Sequence, residues 1–155
     1  MTAHRAMKIL YLDTNIYNRP FDDQSQVRIR LETIAIFSIL QHIKRGVCRL
    51  LWSFVIDFEN SLNPYQDNKT EIALLSALAG QWVEPNQHIL ELARQYGNQG
   101  IKPRDALHLA CAVHASADCF ITCDDKLAKR GKLMQLPVQI LNPVEFTYSM
   151  EVHQL

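Results

Sequence analysis

The chain has 155 residues, 48% of them hydrophobic, which suits one domain with a proper core and excludes a disordered chain. Sixteen basic residues balance sixteen acidic ones, so global charge steers the protein toward neither nucleic acid nor a membrane. The four cysteines lack CxxC spacing and read as buried free thiols of a reducing compartment, not as zinc ligands or disulfides.

No apolar run approaches the ~20 residues of a membrane span. No charged segment followed by an apolar one marks a leader at the start. A cytoplasmic protein is the expectation. Charge is distributed unevenly along the chain. Residues 26–49 hold five Lys/Arg against one Glu, and residues 102–132 hold six against four Asp. Such runs are either solvated helix faces or phosphate-binding surface.

Residues 8–12, KILYL, form a short apolar run that predicts a first strand. The stretch NRPFDDQSQ predicts a loop. Next comes a helix in which Val27, Leu31, Ile34, Ile39 and Ile43 recur at helical spacing, with Asp23 or Ser25 as its cap and Gly46 as its stop. Residues 48–52 predict a second strand. Ser53 then caps a short helix, FVIDFENSL, that ends near Asn63 and Pro64.

Residues 69–79 and 86–96 predict two amphipathic helices, with a short segment around Trp82 and Val83 between them. Pro103 opens a further helix at the first-turn position that favours proline. Residues 119–122 predict a strand, 125–132 a helix and 138–141 a last strand. Trp52, Trp82 and the phenylalanines read as core. Strands alternating with helices predict parallel βαβ units: a three-layer α/β/α sandwich with a mainly parallel central sheet, in one domain over residues 1–155 with its core at about 8–146. Such sheets bind ligands beyond the carboxyl ends of their strands, at the switch point in strand order.

Two strands end on carboxylates there, the first at Asp13 and the third clear one at Asp124. Asp105 lies in the first turn of the helix opened by Pro103, where a carboxylate meets the positive end of the helix dipole. Glu59 lies on the helix capped by Ser53. Asp57 competes with it, since residues two apart point about 200° apart at ~3.6 residues per turn, and Asp125 competes with Asp124. One acid of that last pair caps the following helix and leaves the other free for metal. Two like charges ~4 Å apart repel by roughly 4 kcal/mol at an effective dielectric near 20. Four converging carboxylates therefore call for a cation, and Mg²⁺ or Mn²⁺ fits an oxygen-rich set. Such an ion activates water and neutralises phosphoryl charge, which points to phosphodiester hydrolysis. Arg19 and Arg104 flank these acids as candidate phosphate contacts. His108, one turn after Asp105, reads as a structural histidine, with support of a ligand or contact with substrate as the alternative, and His114 reads as surface or structural.

In this order, LDTN at 12–15, the Ser53 to Glu59 spacing, RDALHLACA at 104–112 and ITCDD at 121–125 resemble the PIN-domain family of ribonucleases, which includes the VapC toxins of bacterial toxin–antitoxin pairs. The resemblance implies that the family's four acids fall on Asp13, Glu59, Asp105 and Asp124, with Asn15 and Thr122 in support. It further implies Mg²⁺ or Mn²⁺ dependence, RNA as substrate, a homodimer and, for the toxins, an inhibiting antitoxin. A haloacid-dehalogenase-like phosphatase also begins with an Asp after its first strand, but it needs another acid where this chain has Asn15 and gives Asp105 no role. A non-catalytic RNA- or protein-binding module is the remaining alternative.

Overall fold

A computed structural model describes residues 7–154. Five strands are present: β1 (Lys8–Leu12), β2 (Cys48–Ser53), β3 (Ala79–Val83), β4 (Cys119–Ile121) and β5 (Gln139–Leu141). All their pairings are parallel, in the order β3-β2-β1-β4-β5. The order reverses at β1: the chain first builds outward through β2 and β3, then returns to lay β4 and β5 on the other side. The switch point therefore falls between the carboxyl ends of β1 and β4, where open α/β sheets place their ligands.

Among the described residues, seven α-helices connect the strands and an eighth follows them: α1 (Thr14–Asn18), α2 (Val27–Lys44), α3 (Phe54–Ser61), α4 (Gln66–Leu75), α5 (Gln87–Asn98), α6 (Pro103–His114), α7 (Asp125–Leu133) and, after β5, α8 (Pro143–Gln154). The α2 helix lies on the way out and α5 with α6 on the way back, and the right-handed rule for crossovers between parallel strands assigns the two groups to opposite faces of the sheet. The α8 helix packs on α2, and α5 packs on α6. This is the α/β/α sandwich that the sequence pattern predicts. No helix of the described residues is long and apolar enough to cross a membrane.

The core is aromatic where β1, β2 and β4 meet. Tyr11 stacks on Phe120 at 5.4 Å, and Tyr17 packs against Trp52 at 4.9 Å. Trp52 is fully buried and donates its indole N–H to Asp57 at 2.8 Å. The four cysteines are buried and free.

Several local expectations change. The NRPFDDQSQ stretch is not a plain loop, because α1 and a 3-10 turn over Arg19–Phe21 begin it. Neither Asp23 nor Ser25 caps α2. Asp23 instead accepts from the Ser25 N–H and hydroxyl in a tight turn, and Gln26 stands at the cap without a side-chain bond. The buried face of α2 includes Glu32 and Thr33, while Val27, Leu31, Ile34 and Phe37 are exposed. Glu32 can be buried because Arg19 and Arg28 lie 3.3 and 3.5 Å from its carboxylate and Asn142 donates to it. Trp82 is not core: β3 is an edge strand, and this indole is 48% exposed. Phe21, Phe37 and Phe58 are exposed as well. The α8 helix has no counterpart among the expected elements.

Trp52→Phe should cost about 2 kcal/mol, since it opens a void in the fully buried core. Trp82→Phe should change stability by less than about 0.5 kcal/mol. Urea unfolding measures both, and equal losses would contradict the burial contrast.

Candidate metal centre

Asp13 follows β1 directly, and its backbone N–H extends the β1–β4 ladder to the Ile121 carbonyl at 2.9 Å. Its carboxylate is 5% exposed as a residue and held from several sides. One oxygen accepts from the Thr14 N–H at 2.8 Å. The other accepts from the Thr122 hydroxyl at 2.8 Å and the Asn15 amide at 3.1 Å. Asn15 also donates to the Thr122 hydroxyl at 3.1 Å, and its carbonyl accepts from the Cys123 N–H at 3.0 Å. Asn15 and Thr122 thus join the ends of the two strands at the switch point.

Glu59 comes from α3. Ser53 caps that helix and accepts from the Ile56 N–H, which sets its phase. Asp57 consequently stays exposed and accepts the Trp52 indole N–H, while Glu59 turns toward Thr14 and the pocket. The Thr14 hydroxyl donates to Glu59 at 2.8 Å, and the Arg104 guanidinium lies 3.7 Å from its other oxygen.

His108, on α6, joins the two acids. Its Nε2 contacts Glu59 and lies 3.6 Å from Asp13, while its Nδ1 faces the Tyr11 hydroxyl at 2.6 Å. Tyr11 in turn contacts the Ser53 hydroxyl at 2.6 Å. A buried polar chain therefore runs from the α3 cap to the imidazole. Ligand atoms of Asp13, Glu59 and His108 all lie within 4.8 Å of one another. Sequence spacing places His108 only one turn from Asp105. Its role depends on a tyrosine two residues before Asp13, and no local pattern announces that pairing.

Asp105 and Asp124 stand outside that cluster and together line a neighbouring cavity of about 150 Å³. Asp124 caps α7 with one oxygen, accepting from Lys126 and Leu127 at 3.0 and 3.1 Å. Asp125 faces elsewhere, held by both terminal nitrogens of Arg28 at 2.6 and 2.7 Å. The expectation that the non-capping acid of this pair is free for metal therefore does not hold, because Arg28 neutralises it. Arg19 pairs with Glu32 and Asp22, whereas Arg104 is 56% exposed over the Phe58 ring.

Burial raises the Asp13 carboxyl above its ordinary value, against the pull of His108 and Thr122. Burial and the charges of Asp13, Asp124 and Glu59 push Asp105 up to about 6, with His108 opposing them. For His108, burial favours the neutral ring, but the Glu59 contact and the charges of Asp13, Glu59 and Asp105 outweigh it and raise its pKa. For Glu59, burial favours the acid form, and its contacts with His108, Thr14 and Arg104 reverse that. Two raised carboxyls, Asp13 in the cluster and Asp105 beside it, mark a place short of positive charge. Hard oxygen donors in that number suit a divalent cation, so the residues fit Mg²⁺ or Mn²⁺.

A parallel, doubly wound sheet with an acidic pocket at its switch point defines the class of protein. The PIN domain family model matches residues 10–133, and the chain belongs to that family. PIN domains are generally nucleases that use divalent metals, and this assignment displaces the phosphatase alternative. No curated protein matches the sequence.

Among solved structures, the fold is similar to FitAcB from Neisseria gonorrhoeae (TM-score 0.59, 16% identity, 86% of this chain and 97% of that one). It is also similar to VapBC-1 from nontypeable Haemophilus influenzae (TM-score 0.58, 20% identity, 87% and 98%). A third is VapBC2 from Rickettsia felis bound to a promoter DNA fragment (TM-score 0.55, 16% identity, 86% and 97%).

Thr122→Val should destabilise the protein by about 1–3 kcal/mol, because Asp13, Asn15 and the Asp124 N–H each lose a buried partner. Thr122→Ser should restore most of the loss. If both variants unfold at the wild-type urea midpoint, this network does not hold the switch point together.

Proposed function

We propose that the protein is a metal-dependent endoribonuclease and the toxin of a toxin–antitoxin pair. The observation that carries this reading is the meeting of Asp13, Glu59 and His108 within 4.8 Å at the switch point of a PIN domain. Asp13, Glu59, Asp105 and Asp124 would hold Mg²⁺ or Mn²⁺. When bound, the ion supplies water activation and neutralises phosphoryl charge.

The protein's own groups do the rest. Asn15 and Thr122 fix the Asp13 carboxylate in one orientation, and Thr14 and His108 fix Glu59. Tyr11 and Ser53 hold the imidazole from behind, so that its Nε2 faces the acids. Arg104, exposed at the rim beside Glu59, offers a cation to a phosphate next to the scissile one. By resemblance to the family, the products would carry a 5′-phosphate and a 3′-hydroxyl.

The fold shared with the VapBC and FitAcB structures supports an antitoxin partner. Val27, Leu31, Ile34 and Phe37 give α2 an exposed apolar face, the kind of surface that an antitoxin or a second copy would cover. The cytoplasm is the compartment that suits four free thiols and an RNA substrate.

Two measurements test this reading. Asp13→Asn should abolish RNA cleavage in Mn²⁺ while leaving the circular dichroism spectrum unchanged, and retained cleavage would sink the assignment. Calorimetric titration should show Mn²⁺ binding to wild type, weakened about tenfold or more (about 1.4 kcal/mol) by Asp105→Asn. Absence of binding by wild type would favour a non-catalytic RNA- or protein-binding module.

A further inference from the structure

The surface beyond Asp105 and Asp124 is basic. Their cavity is also lined by Lys102, Lys126 and Arg130. Lys126 and Arg130 in turn line a second cleft, of about 560 Å³, together with Lys129 and Gln99. The shared walls make one trough that starts at the acids and runs along α7. Lys126, Lys129 and Arg130 are three and four residues apart, so they share one helix face.

All four cations are exposed, and among the described residues none pairs with a carboxylate. Lys132, on the same helix, differs: it pairs with Glu145 at 3.7 Å. Arg130 is fixed in place, donating to the Gly100 carbonyl at 3.0 Å across the turn between α5 and α6. Gly100 has φ +94°, and a Cβ there would collide with the Arg130 guanidinium. The glycine therefore permits both the turn and the seat. A guanidinium held this way loses little further freedom when it meets a phosphate.

We propose that this trough is a phosphate track, which grips the backbone of a single RNA strand on the Asp124 side of the scissile bond. The proposal rests on the ribonuclease reading above. Continuity with the acidic pocket favours a nucleic-acid strand over an acidic polypeptide. The rest of the trough wall is Gln99, Leu133, Met134, Leu127 and Ile101, with no aromatic ring to stack a base. The grip is therefore on the backbone and indifferent to sequence.

The test is binding of a labelled oligouridylate of about 12 nucleotides, in EDTA so that cleavage does not intervene, between roughly 50 and 200 mM KCl. The triple variant Lys126→Gln, Lys129→Gln, Arg130→Gln should make the negative slope of log affinity against log salt shallower by about 2, at ~0.7 for each phosphate of a single strand that the protein ceases to neutralise. Its affinity at the low-salt end should fall about tenfold or more. Lys132→Gln removes a charge from the same helix and should leave both quantities unchanged.

Equal slopes for wild type and the triple variant, with wild-type cleavage in Mn²⁺ intact, would overturn the track and leave the ribonuclease reading standing. Equal losses in the triple variant and Lys132→Gln would reduce the effect to net charge and also overturn it. Competition by polyglutamate as strong as by RNA would reassign the trough to an acidic polypeptide. A wild type that neither binds nor cleaves single-stranded RNA would overturn the track and the ribonuclease reading together.

Discussion

Like charges must be held together at the switch point, and much of the surrounding structure serves that constraint. Each pair of carboxylates brought to about 4 Å costs several kcal/mol at a protein-like dielectric. The fold meets this cost with hydrogen bonds from rigid elements. Asp13 takes three donors, two of them side chains linked to each other across the β1–β4 gap. His108 supplies the positive end for Asp13 and Glu59, and Tyr11 fixes its ring from within the sheet. Asp105 receives less compensation, and its carboxyl is accordingly pushed up. Strain of this electrostatic kind is stored at the pocket and supported by the core, where Tyr11 is also stacked on Phe120.

A second network braces the same loop from outside. Glu32, buried on α2, gathers Arg19, Arg28 and Asn142. Arg28 then reaches over to Asp125 and the Cys123 carbonyl. The segment after β4 is thereby held at both ends, by Asn15 and Thr122 on the pocket side and by Arg28 on the other. This explains how two adjacent aspartates come to differ. Asp125 is committed to Arg28, so the Asp124 side chain can stay at the cavity with one oxygen in the α7 cap. Burying Glu32 is tolerable only with its partners in place, since a buried charge left alone costs several kcal/mol.

What sequence reveals here follows the range of the interaction. The placement of Asp13 is legible because a strand end is a local feature, whereas which of Asp124 and Asp125 caps α7 depends on Arg28, 97 residues from Asp125. The Ser53 cap and Pro103 at the first turn of its helix are legible in the same way as Asp13. The choice between Asp57 and Glu59 is not, because it depends on which side of α3 meets Trp52 and which meets Thr14. The sequence leaves the role of His108 undecided for the same reason: its significance lies in Tyr11 and Glu59, 97 and 49 residues away. The buried face of α2 is misleading because Glu32 counts as polar until Arg19, Arg28 and Asn142 are seen around it. Range does not explain the omission of α8, whose apolar Phe146 packs into the core.

Net neutrality conceals the feature that matters most for a phosphodiester substrate. Charges in this protein act over about 8–10 Å at physiological salt, so a zero total says nothing about a pocket smaller than that. Along one wall the surface changes sign: carboxylates at the switch point, then Lys126, Lys129 and Arg130 along α7. The acids alone would repel a polyanion. The adjacent cations attract it, and a divalent ion at the acids would make the field continuous along the strand. An overall positive charge would add long-range attraction to any nucleic acid, whereas this arrangement confines attraction to strands that lie in the trough. A neutral chain is therefore compatible with a nuclease whose grip is short-ranged and sited beside its chemistry.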